Sequence, residues 1–558
     1  MRKVAISCLL ASSLIACTVS GPRVDGQDAA VAFAERRIDA TDMLRHIQVL
    51  SSDEFEGRAP GSHGEQLSVD YIQREFERLG LAPGNADGSF LQPVPMLGIT
   101  STPTMSVKVG GSTVALDVEQ DVVAWSARAT EHIVVPPSEL MFVGYGVVAP
   151  EYGWDDYKGV DLHGKTLVML INDPPVADPS DPAKLDPHVF KGSEMTYYGR
   201  WTYKFEMAAR LGAAAAIIVH ETAPAGYPFD VVRHTWGHEN LGLDSTASRF
   251  PPVSAWMQQS RAETLLKSAG FDLAALKKAA LSRDFRPIDL GMTASFDVVN
   301  RVRRIDSLNV VAKVAGSDPA LKDEAVVYTA HWDHLGMDPS LPGPRTKQIY
   351  HGALDNAAGV AALFEIARAW QALPTRPRRT VLFIATTGEE QGLLGARHYA
   401  AHPAVPLDRT LADINIDVLN AYGRTCDLRI IGDGKSDLDE LVRREAAHQG
   451  REALPDANPE LGSFFRADQF EFAKAGVPVV FLKAGTQVLG RPEDFGVDSK
   501  HDYVSHRYHT VDDVVDERWD LSGAVEDMRL LFRVGLDVAQ ATSRPQWRRD
   551  AEFKRPRD

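Results

Sequence analysis

Basic residues are in deficit. The 558-residue chain has 60 Lys and Arg against 76 Asp and Glu, a net charge of −16. A phosphate-binding surface must be cationic, so nucleic acid is excluded as the main partner. Cysteine is scarce, with three residues in all. If Cys8 is cleaved off and Cys17 acylated, Cys426 has no partner, and no disulfide framework supports the fold. A chain this long needs none, because its core is large enough. Internal repeats are absent too. What remains is ordinary: 44% hydrophobic and 24% charged residues, as in a globular protein of several domains.

The N-terminus reads as an export signal. Met1-Arg2-Lys3 precedes an apolar run from Val4 to Ile15. That run is shorter than the roughly 20 residues a stable span needs. Leu14-Ile15-Ala16-Cys17 resembles a bacterial lipobox, which makes Cys17 the expected lipidation site. Thr18 after it, rather than Asp, points to the outer membrane. The expected location is the periplasm, with the membrane met only through this lipid anchor. Cys426 is read as a buried structural residue.

The chain divides by texture. Residues 1–17 are the signal, 18–37 a tether and 546–558 a tail, with polar, frayed character expected from Ser543 onward. Residues 38–80 carry two amphipathic helices, broken by Gly57, Pro60 and Gly61. Residues 131–300 differ from their flanks and read as a small α/β domain inserted between 38–130 and 301–545. From 305 onward apolar strands alternate with helices: Val326–Ala330, the helix Asn356–Trp370, then Thr380–Ala385, Leu411–Ile416 and Val477–Leu482. Strands apolar on both faces predict a mostly parallel sheet between two layers of helices.

Ligands bind such sheets beyond the C-terminal strand ends. His331 and Asp333, Glu389 and Glu390, and Asp417 each follow one of those strands. Asp355 precedes a helix, and His509 lies in a later loop. Singly, each is ordinary surface chemistry. Together they offer imidazoles and carboxylates, the donors that suit zinc. Paired ions need a bridging carboxylate, and a further carboxylate must handle the proton of an activated water. Glu389 and Glu390 could divide those duties. Asp333 could accept the spare N–H of His331.

In this order the pieces resemble the co-catalytic di-zinc exopeptidases, which include bacterial leucyl-type aminopeptidases and glutamate carboxypeptidase. The matching segments are Ala330-His331-Trp332-Asp333-His334, Gly352 to Gly359, Gly388-Glu389-Glu390, Asn415-Ile416-Asp417 and Tyr508-His509-Thr510, with Ser52 to Gly61 near the N-terminus. The resemblance covers about 40–125 and 305–540. It implies two Zn2+ per chain, with His331 and Asp417 on one, Glu390 and His509 on the other, and Asp355 bridging. It implies Glu389 as general base, Asp333 behind the ligands, and a cis Asp355–Asn356 peptide.

Residues 131–300 resemble a protease-associated domain through Gly164-Lys165-Thr166-Leu167-Val168 and Ala208 to Ala215. Arg200, in Tyr197-Tyr198-Gly199-Arg200-Trp201, would there meet a substrate carboxylate; the alternative is a structural surface arginine. Arg466-Ala467-Asp468-Gln469 departs from a related segment that more often reads Ser-Asp-His. The implied activity is aminopeptidase action on peptide substrates. The rivals are a carboxypeptidase, an inactive binding protein on the same scaffold, and a single-zinc aminoacyl cyclase.

Overall fold

The computed structural model describes residues 26–549 and 551–555. The signal, the lipobox and Cys17 lie outside the described residues.

The sheet is mixed and mostly parallel, with helices on its faces. At its heart Thr410–Asn415, Ala325–His331 and Thr380–Thr386 run parallel, with Val479–Ala484 parallel beyond Thr410–Asn415. Every residue of the first three is buried, as strands apolar on both faces require. The helix Ala358–Gln371 is apolar nearly all round and packs against Ala40–Leu50, Ser522–Gln540 and the Ala325–His331 strand. The two helices expected within 38–80 are Ala40–Leu50 and His63–Arg78. Asp39 caps the first, accepting from Thr41 N at 2.9 Å, and Ser62 caps the second, accepting from Glu65 N at 3.2 Å.

Two long strands connect this part to the middle of the chain. Ile288–Val314 pairs along its length with Leu91–Val109. Its last residues also join Thr380–Thr386, and its first join His132–Phe142. Beyond His132–Phe142 the sheet continues through Thr166–Leu170, Ala215–His220 and Val253–Gln258, all parallel, to the antiparallel edge Val122–Trp125. These strands enclose a second hydrophobic core running from Met105 to Val298, separate from the one around Ala358–Gln371. Met105 to Trp125 thus pack with the middle segment.

Two local expectations need correction. The tail is not frayed throughout. Trp547 Nε1 donates to Gly476 O at 2.9 Å, and Phe553 is buried against Phe464 and Phe470. A few aromatic side chains suffice to dock a polar segment. Cys426 is exposed rather than buried, since its strand-entry position faces outward.

Candidate metal centre

The three central strands end at one edge, and the acidic residues and imidazoles gather there. His331 closes its strand, Glu389 and Glu390 follow Thr380–Thr386, and Asp417 follows Thr410–Asn415. Asp355 sits in the tight turn before Ala358–Gln371, where the Asp355–Asn356 peptide is cis. His509 stands in a turn after Phe495–His506 with φ 57°.

Asp355 is the hinge of the arrangement. Its Oδ1 lies 3.3 Å from His331 Nε2, and its Oδ2 lies 3.2 Å from His509 Nε2. His331 Nε2 is also 3.7 Å from Asp417 Oδ1, and His509 Nε2 is 3.0 Å from Glu390 Oε2. His331, Asp355 and Glu390 can all present ligand atoms within 4.8 Å of one another. His509 Nε2 is buried there without a well-formed hydrogen bond.

Electrostatics follow from this crowding. Burial would push the Asp355 carboxyl up, but the flanking His331 and His509 rings hold it well below the carboxylate range. Glu390, likewise desolvated, is drawn down to about 2, with the His509 charge the main cause. Glu389 goes the other way. Burial raises it well above the ordinary value, and Glu390 and Asp417 add to that, against His331. Three carboxylates, Asp355, Glu390 and Asp417, around two imidazoles make a donor set that a divalent cation fits.

Asp333 differs from expectation. The atom 3.1 Å from His331 Nδ1 is its main-chain carbonyl, while its carboxylate Oδ1 stands 3.7 Å away. The tight turn after His331 brings the backbone round first. The carboxylate instead accepts from Glu389 N at 3.1 Å, and burial raises its pKa to about 7.

Sequence reasoning missed several supports. His334 Nδ1 lies 2.7 Å from Glu390 Oε1. Asp513 accepts from Leu354 N at 3.1 Å and Asp355 N at 3.0 Å, fixing that turn. Asn356 Nδ2 donates to Ile416 O at 2.9 Å, next to Asp417. Lys483 Nζ donates to Asp417 O at 3.0 Å. Beside Glu390 a cavity of about 100 Å³ is walled by Trp201, Trp236, Phe250 and Leu394, so the middle segment faces the cluster. Arg200 stands on that same segment and feels the Glu389 charge.

Residues 309–532 match Peptidase family M28. The M28 segment contains every residue of the cluster. Among relatives, the aminopeptidase YwaD of Bacillus subtilis (strain 168) is 27% identical over 201 residues, covering 35% of this chain and 37% of that one. The aminopeptidase NAALADL1 of Rattus norvegicus is 31% identical over 134 residues, covering 23% and 16%. The chain thus matches well under half the length of these two relatives. The solved aminopeptidase from Aneurinibacillus sp. strain AM-1 superposes over 95% of this chain and 98% of its own, with a TM-score of 0.51 and 18% identity. That likeness is one of fold.

Proposed function

We propose that this chain is an exported di-zinc aminopeptidase of the M28 kind in which Glu389 is the general base. The observation that carries the reading is the division of Asp355, one oxygen toward His331 and the other toward His509. A carboxylate so placed suits a bridge between two ions. His331 and Asp417 would hold one and Glu390 and His509 the other. Zinc bound there would polarise the substrate carbonyl and acidify water.

The protein's own residues supply the rest. Glu389 takes a proton from the attacking water through its carboxylate. As the C–N bond breaks, it delivers that proton to the departing amine nitrogen. A carboxyl already raised by burial is suited to holding the proton between those moments. Asp333 anchors the Glu389 main chain. The aromatic cavity beside Glu390 suits an apolar side chain at the substrate N-terminus. Export rests on residues 1–17.

A mixed peptide library with products read by mass tests the reading. Stepwise N-terminal loss is expected, abolished by chelation and restored by zinc. Glu389→Gln should lose on the order of 100-fold or more in kcat while keeping both metals; near-normal turnover would overturn its role. The carboxypeptidase alternative draws on Arg200, a buried cation on which the Glu389 charge acts. N-terminally blocked peptides separate the two, since an aminopeptidase leaves them intact.

A further inference from the structure

Thr329 meets two side chains of the neighbouring strand Thr410–Asn415. Its hydroxyl oxygen lies 2.9 Å from Asp413 Oδ1 and 2.9 Å from Asn415 Oδ1. Asn415 Nδ2 donates to Gln469 Oε1 at 2.8 Å, and Gln469 Nε2 donates to Phe464 O at 2.9 Å. All four polar side chains are buried. Phe464 O fixes the direction of every donor in this chain. A main-chain carbonyl only accepts, so Gln469 turns its NH2 to Phe464 and its oxygen to Asn415. Asn415 meets that oxygen with its own NH2, which leaves Asn415 Oδ1 facing Thr329. The Thr329 hydroxyl has one proton, and it goes to Asn415 Oδ1. The remaining contact, between Thr329 and Asp413, closes only if Asp413 Oδ1 carries a proton and donates it.

The surroundings of Asp413 favour the neutral form. Among the described residues it has no ion pair, and its Oδ2 is buried without a hydrogen bond. Its partners in register on either side are Val327 and Val479. Buried carboxylates elsewhere have cations: Asp527 lies 2.7 Å from Arg451, and Glu471 lies 2.7 Å from Lys474. An ionised carboxylate buried without one is costly. The titratable groups coupled to Asp413 by charge are Asp468 and Tyr399, and neither is a cation. Burial raises the Asp413 carboxyl well above the ordinary range, against the Thr329 contact, and the Asp468 charge adds to the rise.

This chain of bonds lies under two strand ends of the cluster. Thr329 precedes His331 by two residues, and Asn415 precedes Asp417 by two. Thr329 O also accepts from Ile416 N at 2.8 Å, so side chain and main chain of one threonine hold both residues before Asp417. The 3.7 Å separation of His331 Nε2 and Asp417 Oδ1 depends on the register so fixed. We propose that Asp413 is a neutral carboxylic acid at neutral pH, a positioning residue whose proton starts a hydrogen-bond chain through Thr329, Asn415 and Gln469 that holds Asp417 beside His331. The consequence for zinc rests on the proposed metal reading; the protonation of Asp413 does not.

Infrared difference spectra of the full chain without metal test the proton. The parent at pH 7 should show a carboxylic-acid C=O band that Asp413→Asn removes. Thr329→Val, which deletes the acceptor of that proton, should shift the same band. Identical acid bands in the parent and Asp413→Asn would mean an ionised Asp413 and overturn the proposal. If Asp413→Asn does not fold, an unshifted band in Thr329→Val overturns it equally. Zinc titration against a chromophoric chelator tests the positioning. Thr329→Val should lose about 10-fold in affinity at one of two sites, as when a group that orients a ligand is removed. Thr329→Ser and Asp413→Asn each keep a donor at every link, so both should bind zinc as the parent does. Parent-like zinc binding by Thr329→Val would remove the positioning role. A parent that binds a single zinc would instead sink the two-ion reading. The infrared band would still decide the Asp413 proton, and the affinity of that single site in Thr329→Val would decide the positioning.

Discussion

Arg58 Nη2 donates to the carbonyl oxygen of Gly352 over 2.8 Å, three residues before Asp355. The same guanidinium reaches Trp332 O at 2.8 Å through Nε, and Leu50 O at 2.6 Å and His351 O at 2.7 Å through Nη1. Fully buried and bound only to carbonyls, Arg58 ties the turn after His331 to the turn carrying Asp355. Lys cannot reproduce this fork. Arg58→Lys should therefore lose about 2–4 kcal/mol of stability, from carbonyls left unpaired. It should also weaken zinc binding, measured by competition with a chelator. An unchanged unfolding midpoint and zinc affinity would show that the two turns hold their positions without it.

His334 offers a finer test of the same idea. Its Nδ1 donates to Glu390 Oε1, which leaves Oε2 facing His509. Groups that orient a metal ligand typically change affinity by about 10–100-fold. On the proposed di-zinc arrangement, His334→Phe should cost that much zinc affinity at the Glu390 side and little at the His331 side. Titration with a chromophoric chelator would then show one site weakened ahead of the other. Uniform weakening of both, or of neither, would remove His334 from the support of Glu390.

The contrast between these supports and the proposed ligands explains what the sequence could disclose. His331, Glu389, Glu390 and Asp417 were legible because each follows a strand whose apolar run marks where it ends. The parallel sheet and the helix at 358–371 were legible for the same reason. Arg58 lies in the Ser52 to Gly61 segment, but its acceptors are main-chain carbonyls, and those leave no trace in residue identity. The Asp333 carbonyl that meets His331 is hidden likewise. Ile288–Val314 alternates buried and exposed positions, with Arg301, Arg303 and Arg304 facing outward. So polar a run did not read as one strand joining two cores. Phe553 and Trp547 were overlooked because charge dominates the tail around them.

His46 gives a pH prediction away from the site. Arg45 Nη2 donates to its Nε2 at 3.0 Å, so the proton sits on Nδ1 and is directed to the Tyr71 hydroxyl at 2.7 Å. Phe364 covers the ring, 4.7 Å between centres. Burial, with the Arg45 charge adding to it, drives the His46 pKa down to about 3. A lowered folded-state pKa means that the unfolded chain binds the proton more readily. The contribution is therefore whole above about pH 6.5 and is lost as pH falls toward 3, on the order of 5 kcal/mol in all. Urea unfolding of the parent at pH 7, 6 and 5 should show stability falling with acidity. His46→Gln should be less stable at pH 7 but fall less steeply, and proton-detected nitrogen spectra of the parent should report a neutral ring protonated on Nδ1 at pH 5. A ring already charged at pH 5, or equal slopes in the two proteins, would place the acid sensitivity elsewhere.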